Sequence, residues 1–267
     1  LRQEWLADEK FSSMSDTETL LRLLNRYGLA ILPQLKGMFA AAWYDLDENK
    51  VHLFRDSLGI KPLFYFEIGE SSSVFFASEI KCFFEMADLP RVLDHEVLMQ
   101  YLTFENYPVE KTLFRGIHSL KKGEIRSYSI EKNALQCISI FFSAVPSDLK
   151  YSEEDCIDTL EKKIIQSVQS HLVSDVSIGV YLSGGIDSSL VATLAAQVNS
   201  NLIGFTGYFE DEDEHYDERK LARLVAEKSK FPLCEIKITS DHFVQNFDRM
   251  IYHLDQPRMG MGAFSQF

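Results

Sequence analysis

The sequence lacks any C-x-x-C pair, any long apolar run and any excess of positive charge. Its four cysteines, Cys82, Cys137, Cys156 and Cys234, stand far apart. That spacing fits neither a zinc site nor a disulfide framework, and it predicts reduced, mostly buried thiols in a cytosolic protein. No apolar run approaches the ~18 residues of a membrane helix, and no signal peptide is visible. Lys and Arg number 27 against 40 Asp and Glu, a formal charge of -13. Such a balance argues against nonspecific nucleic-acid binding, which needs a basic surface to displace counterions. A nucleotide is still allowed, because one anion can be held locally by backbone N–H groups and a metal ion. There is no G-x-x-x-x-G-K-[ST] loop. A nucleophile elbow, G-x-S-x-G, fails too, because Tyr181 stands where its first glycine belongs. An initiator Met is also missing, and nothing in the pattern marks a stop at Phe267, so both ends are expected to be cut.

What is present is an ordinary globular composition, 46% hydrophobic and 25% charged. With 267 residues it predicts two domains, each with its own core. Ser15 followed by Glu18 reads as a capping box, with Leu20, Leu21, Leu24 and Tyr27 at helical spacing and Gly28 closing the helix. Met38 to Tyr44, a polar turn and Val51 to Phe54 read as a β-hairpin. Leu63 to Ile68 and Val74 to Ala77 form a second one around Gly69 to Ser73. Residues 1–142 are therefore expected to be an α+β layered domain.

Residues 143–150, with Ser143, Pro146, Ser147 and Asp148, read as a linker. Ser152 to Asp155 is another capping-box match, opening a helix whose apolar face is Ile157, Leu160, Ile164, Ile165, Val168 and Leu172. Strands at Val176–Leu182, Leu202–Phe209 and Leu233–Ile238 then alternate with helices at Ser188–Gln197, Asp217–Lys228 and from Phe243 to Leu254. Alternation of this kind makes residues 151–267 an α/β domain with a parallel sheet and right-handed crossovers.

The segment that carries chemistry is Tyr181-Leu182-Ser183-Gly184-Gly185-Ile186-Asp187-Ser188-Ser189. It joins the end of the first parallel strand to a helix, where open α/β sheets bind ligands. Two glycines let the backbone turn sharply and approach a ligand. The new helix supplies free N–H groups and a positive dipole end for an anion. The hydroxyls of Ser183, Ser188 and Ser189 can donate to phosphate oxygens, and Asp187 makes sense beside a bridging Mg²⁺. The bland alternative is a glycine-rich turn with Asp187 as a cap, worth ~1 kcal/mol.

S-G-G-x-D-S resembles the pyrophosphate-binding signature of the N-type ATP pyrophosphatases. Gly37 to Ala40, Arg55 to Leu63, Ala77 to Lys81 and Ser15 to Glu18 resemble, in order, the glutaminase domain of asparagine synthetases. Thr112 to Ile117 with Lys122-Gly123 is similar to that family's stretch between its catalytic domains. The resemblance covers essentially the whole chain. It implies a partial N-terminal-nucleophile glutaminase sandwich followed by a truncated ATP pyrophosphatase domain.

By that resemblance Asp16 would hold the α-amino group of glutamine, although a carboxylate is favoured in a helix's first turn anyway. Leu182 and Gly207 match positions whose backbone contacts the adenine nucleotide. Ser183, Gly184, Gly185, Asp187 and Ser188 would bind the β and γ phosphates, with Mg²⁺ shared by Asp187. ATP and Mg²⁺ are thus the implied cofactors, and glutamine, aspartate and ATP the small-molecule partners. Neither nucleic acid nor membrane is expected, a homodimer suits the family, and the location is cytoplasmic. Aspartate's side-chain carboxylate would attack the α phosphate, and ammonia from glutamine would then displace AMP.

The family's glutaminase nucleophile is a cysteine directly after the initiator Met, and its catalytic glutamate lies in a later S-G-E-G-x-D-E segment. Neither falls within these residues, so no catalytic residue is expected here and the chain as given should not hydrolyse glutamine. Arg55 and Asp56 read as a structural ion pair, and Lys61-Pro62 as shaping the next strand's entry. The acidic run Glu210 to Glu214 reads as a solvated loop, with Asp217 and Glu218 suited to the following helix start. Asp255-Gln256-Pro257 stands where many members have D-E-P, and Arg258 to Gly262 departs from the usual acceptor-side sequence. The acceptor is therefore open between aspartate and another carboxylate, such as one on a sugar or secondary metabolite. A non-catalytic nucleotide-binding protein is the reading from another class, and the intact S-G-G-I-D-S-S argues against it.

Overall fold

The computed structural model describes residues 1–68, 73–86, 89, 91–108, 110–140, 152–209, 217–258, 262 and 264. The expected linker at 143–150 and the acidic run at 210–214 lie outside them. The chain forms two compact units, residues 1–145 with 254–259, and residues 146–253 with 260–267.

The first unit opens with α1 (Arg2–Trp5) and α2 (Asp16–Tyr27). Ser15 caps α2 by accepting from Thr17 N, and Gly28, at φ 59°, ends it. The capping box is only half made. Glu18 turns away from Ser15 and accepts instead from the backbone N–H and hydroxyl of both Ser12 and Ser13, and from Arg22. Arg2 pins the same turn from the other side, donating to Ser13 O, Ser15 O and Thr19 Oγ1. The buried face of α2 is Leu23 and Leu24, while Leu21 is exposed. A 3₁₀ turn, Gly28–Gln34, leads into the first hairpin.

That hairpin is β1 (Ala40–Asp45) and β2 (Lys50–Arg55), and β3 (Phe64–Ile68) and β4 (Ser73–Ala77) form the second. A 3₁₀ helix, Ile80–Glu85, then α3 (His95–Phe104), precede β5 (Ile117–Ser119), β6 (Glu124–Ser129) and β7 (Ala134–Ile140). These strands pair antiparallel in two sheets, β1-β2-β6-β7 and β4-β3-β5. Successive side chains on a strand point to opposite faces, and β2 shows what that does here. Phe54 packs with Leu6, Leu23, Leu24, Ile31 and Leu32 of the helical layer. Its neighbour Leu53 packs with Leu63, Tyr65 and Leu120 around the second sheet. Alternation on one strand thus builds a helix–sheet–sheet stack, and burying each such side chain stabilises by ~1.5–3 kcal/mol.

The second unit runs α4 (Glu153–His171), β8 (Gly179–Tyr181), α5 (Ile186–Val198), β9 (Ile203–Phe209), α6 (Arg219–Ser229), β10 (Leu233–Ile238) and α7 (Ser240–Leu254). Its sheet, β10-β9-β8, is entirely parallel. Ser152 caps α4 as expected, accepting from Asp155 N. Ile157 and Leu160 on that helix are exposed, so its apolar face is buried only near the C-terminal end, around Val168. Strand β8 is shorter than the predicted 176–182. Ser174 Oγ accepts from Val176 N, and that local turn replaces the ladder. Ala192, Ala195, Ala222 and Ala226 let α5 and α6 approach closely over Leu182 and Leu202. The opposite sheet face leaves Tyr181, Ile203 and Ile236 exposed.

All four cysteines are free, but they are exposed rather than buried. No helix among the described residues is long and apolar enough to cross a membrane.

Candidate functional site

Strand β8 continues by one more bond, Leu182 N to Phe205 O at 2.8 Å, and the chain then leaves the sheet. Leu182 is buried and anchors the exit. Gly184 has φ +78°, and a Cβ there would stand 2.5 Å from Leu221 Cβ and 2.9 Å from Ala222 N. Glycine is therefore required twice, for the left-handed backbone and for the close pass of α6. Ser183 and Ser188 brace the turn, their hydroxyls 2.9 Å apart, with Gly185 N donating to Ser183 Oγ and Ser188 Oγ to Gly185 O.

Gly185 is the N-cap of α5 and has no side chain with which to cap it. The first N–H groups of a helix lack intrahelical partners, so this end presents unspent donors and the positive end of a 13-residue helix. Asp187 is exposed in that first turn. Ser189 Oγ is buried and has no hydrogen-bond partner among the described residues. An orphaned hydroxyl, uncapped N–H groups and an exposed carboxylate together fit a phosphate with a bridging divalent cation.

Six of the predicted nucleotide residues thus share one loop: Leu182, Ser183, Gly184, Gly185, Asp187 and Ser188. Gly207 lies on the neighbouring strand β9, two residues beyond the Phe205 carbonyl that holds Leu182, and is exposed. Asp217 accepts from Arg219 through both backbone and side chain. These bonds from Arg219 hold its carboxyl down at about 2. Arg219 also lies over the Tyr208 ring at 3.7 Å. Asp217 therefore serves the start of α6.

In the first unit, Asp16 is exposed in the first turn of α2. Arg55 and Asp56 are structural, but not as an ion pair, because each is spent on backbone groups of the loop that follows β2. Arg55 donates to the carbonyls of Gly59, Lys61 and Leu120. Asp56, 1% exposed, accepts from the N–H groups of Leu58, Ile60 and Lys61. Burial alone would raise its pKa, and those backbone bonds outweigh it and bring the carboxyl below its ordinary value. Asp45, Glu48 and His52 bring ligand atoms within 4.8 Å of one another. Each is otherwise engaged, Asp45 with the backbone of its own turn, Glu48 with Lys50 and His52 with Ser127.

The Asp255-Gln256-Pro257 segment and a cavity of the second unit have roles that local spacing does not show. Asp255 caps the 3₁₀ helix at Ile80, accepting from Ile80 N at 2.7 Å, Lys81 N at 3.1 Å and Lys81 Nζ at 2.9 Å. Gln256 accepts from Leu113 N, and Pro257 O from Tyr107. The second is an open cavity of about 640 Å³ in the second unit, bounded by β8, β9, β10, α7 and Phe264. His242, Asn246 and Arg249 line it at helical spacing (i, i+4, i+7), a polar stripe that periodicity could have found.

The glycine turn between strand and helix lies at the carboxyl end of a parallel sheet, where open α/β folds bind ligands. The glutamine amidotransferase domain model matches residues 1–138 and the asparagine synthase model matches residues 159–267. The chain belongs to the glutamine-hydrolysing asparagine synthetase family. A putative glutamine-hydrolysing asparagine synthetase of Mycobacterium tuberculosis is 31% identical over an alignment of 253 residues that covers 92% of this chain and 38% of that protein. Asparagine synthetase 1 of Bacillus subtilis is 29% identical, over 92% of this chain and 38% of that protein. Amidase chyE of Penicillium rubens is 28% identical, over 96% of this chain and 39% of that protein. The chain thus spans under two-fifths of the length of these curated relatives. A glutamine-dependent NAD⁺ synthetase from Acinetobacter baumannii aligns over 89% of this chain and 58% of that one, at 13% identity and a TM-score of 0.28, too low to carry an argument.

Proposed function

We propose that the protein takes part in ATP-dependent amidation of a carboxylate, with aspartate the first acceptor and glutamine the nitrogen source. The observation that carries this reading is the uncapped N-terminus of α5 with the hydroxyls of Ser183 and Ser188 and the carboxylate of Asp187 around it. In this reading the loop's N–H groups and serine hydroxyls hold the β and γ phosphates, and the backbone of Leu182 and Gly207 meets the adenine nucleotide. Asp187 would hold Mg²⁺, which neutralises charge on the pyrophosphate as it leaves.

A carboxylate is a poor electrophile, and AMP is a good leaving group. Attack of the acceptor carboxylate on the α phosphate would give an acyl-adenylate and pyrophosphate, and ammonia would then displace AMP. Asp16 would orient glutamine through its α-amino group. The test is pyrophosphate release by the full-length protein with aspartate, ATP and ammonia. The Asp187→Asn variant should lose most of the rate, and an unchanged rate would remove Asp187 from the reaction.

A second reading keeps the chemistry and changes the acceptor. It is favoured by Gln256 and Arg258 in the segment that departs from the family pattern, and by relatives whose names are not those of asparagine synthetases.

A further inference from the structure

The hairpin of β1 and β2 carries a cluster that the amidation reading does not use. Asp45 ends β1, Glu48 lies in the turn, and His52 follows on β2. Trp43 pairs with His52 and Asp45 with Lys50, and residues that are paired or two apart along a strand share a face. Trp43, Asp45, Lys50 and His52 therefore stand on one face of the hairpin. One ligand atom from each of Asp45, Glu48 and His52 lies within 4.8 Å of the other two.

The contacts described above take one atom of each residue and leave another. Asp45 Oδ1 accepts from Asp47 N and Glu48 N, which leaves Oδ2. Lys50 Nζ donates to Glu48 Oε2, which leaves Oε1. Ser127 Oγ meets His52 Nδ1, which leaves Nε2. None of the three remaining atoms has a hydrogen-bond partner among the described residues.

His52 carries the inference. It is 3% exposed, and only one of its two ring nitrogens is hydrogen-bonded, whereas buried polar atoms seldom go without a partner. Ser127 is buried opposite it on β6, and Trp43 stacks on the ring with centroids 5.2 Å apart, so the imidazole is held on two sides. When Ser127 Oγ accepts from Nδ1–H, Nε2 carries the lone pair. A metal-bound histidine is oriented in this way, through a hydrogen bond from its other nitrogen. Carboxylates alone suit Mg²⁺ or Ca²⁺, and an imidazole among them shifts the preference towards zinc, nickel or copper. Zinc bonds nitrogen and oxygen at about 2.0–2.2 Å, which sets its ligand atoms about 3.0–3.5 Å apart. Rotation of the exposed Glu48 closes the remaining gap, at the expense of a surface pair with Lys50 that contributes little.

We propose that Asp45, Glu48 and His52 form a site for one divalent transition-metal cation of the zinc type, with Ser127 positioning the imidazole and water completing the coordination. Neither the phosphate loop nor the amidation chemistry enters into it.

The experiment titrates Ni²⁺ into residues 1–267 and follows Trp43, whose fluorescence an open-shell ion bound beside it quenches. Trp43→Phe separates that signal from the chain's other tryptophan, Trp5. Zn²⁺, with its filled d shell, should reverse the quenching by displacing Ni²⁺, and Mg²⁺ at the same concentration should not. His52→Gln should weaken the apparent affinity by about 100-fold, and Ser127→Ala by about tenfold, with Ser127→Thr restoring it. Lys50→Gln should strengthen binding severalfold by freeing Glu48, and Asp187→Asn should leave it unchanged. If His52→Gln does not fold, Glu48→Gln on the exposed turn decides in its place, with a loss of about tenfold or more. Saturable quenching that survives Glu48→Gln, or no quenching of Trp43 at all, overturns the proposal. Mg²⁺ displacing Ni²⁺ as readily as Zn²⁺ does overturns the role of the imidazole.

Discussion

Two loops leave strands in this molecule, each with a glycine at positive φ and an aspartate, and they end in opposite states. In the first unit Asp56 is 1% exposed, and its oxygens accept from Leu58, Ile60 and Lys61 while Arg55 closes the same loop from outside. In the second unit Asp187 is exposed, Gly185 leaves the helix end without a side-chain cap, and Ser189 Oγ has no partner among the described residues. A carboxylate that satisfies its own backbone stabilises a fold. One that leaves nearby donors unspent has kept them for something else. The two motifs look alike as residue types, and hydrogen-bond accounting separates them.

The largest effect expected from breaking this contrast is Asp56→Ala. It strands three backbone N–H groups and should cost about 3–5 kcal/mol in urea unfolding of the first unit. Because the folded pKa of Asp56 is depressed, its contribution is fully present above the unfolded value near ~3.9. It is lost as pH falls through the lower folded value. The variant should therefore show a shallower acid limb than the unaltered chain.

Gly184→Ala should come next, at about 2–4 kcal/mol, since it combines positive φ with a 2.5 Å approach to Leu221. Thermal melts of the second unit check it. Asp255→Ala removes three bonds to Ile80 and Lys81 and should destabilise the first unit by about 2–3 kcal/mol. Protection of the Ile80 and Lys81 amides from hydrogen exchange would report it directly.

Asp187→Asn should leave unfolding unaltered yet weaken Mg·ATP binding by about tenfold or more, the reverse of the Asp56 outcome. Calorimetric titration decides between them, and a loss of stability would place Asp187 with Asp56. Smallest is Ser189→Ala. It removes a buried, unpaired hydroxyl and should raise ligand-free stability by up to ~1 kcal/mol while weakening nucleotide binding.

Several elements were legible in the residues. Both hairpins, the parallel strands β9 and β10, and Gly28 as a helix terminator fell where period and turn chemistry put them. The misses share a cause. Glu18 had the spacing of a capping box, yet Ser12 and Ser13 offered four donors and won it. Arg55 and Asp56 looked like a pair by charge, but backbone carbonyls took the first and backbone N–H groups the second. Ile157 and Leu160 had helical spacing and found nothing to pack against among the described residues. The exposed thiols were misjudged because cysteine's tendency to be buried says nothing about the face a given position takes.

The sequence by itself determined the periodicity, the glycine-and-serine loop and the family, since these depend on residue type and order within a few positions. Only the tertiary structure decided which aspartate is spent and which is not. It also set Asp255 on the N–H groups of Ile80 and Lys81, more than 170 residues away, and gathered His242, Asn246 and Arg249 of α7 with Tyr181 and Phe205 around one cavity. Each of those outcomes depends on which distant groups reach hydrogen-bonding distance, and that is fixed by packing rather than by local spacing.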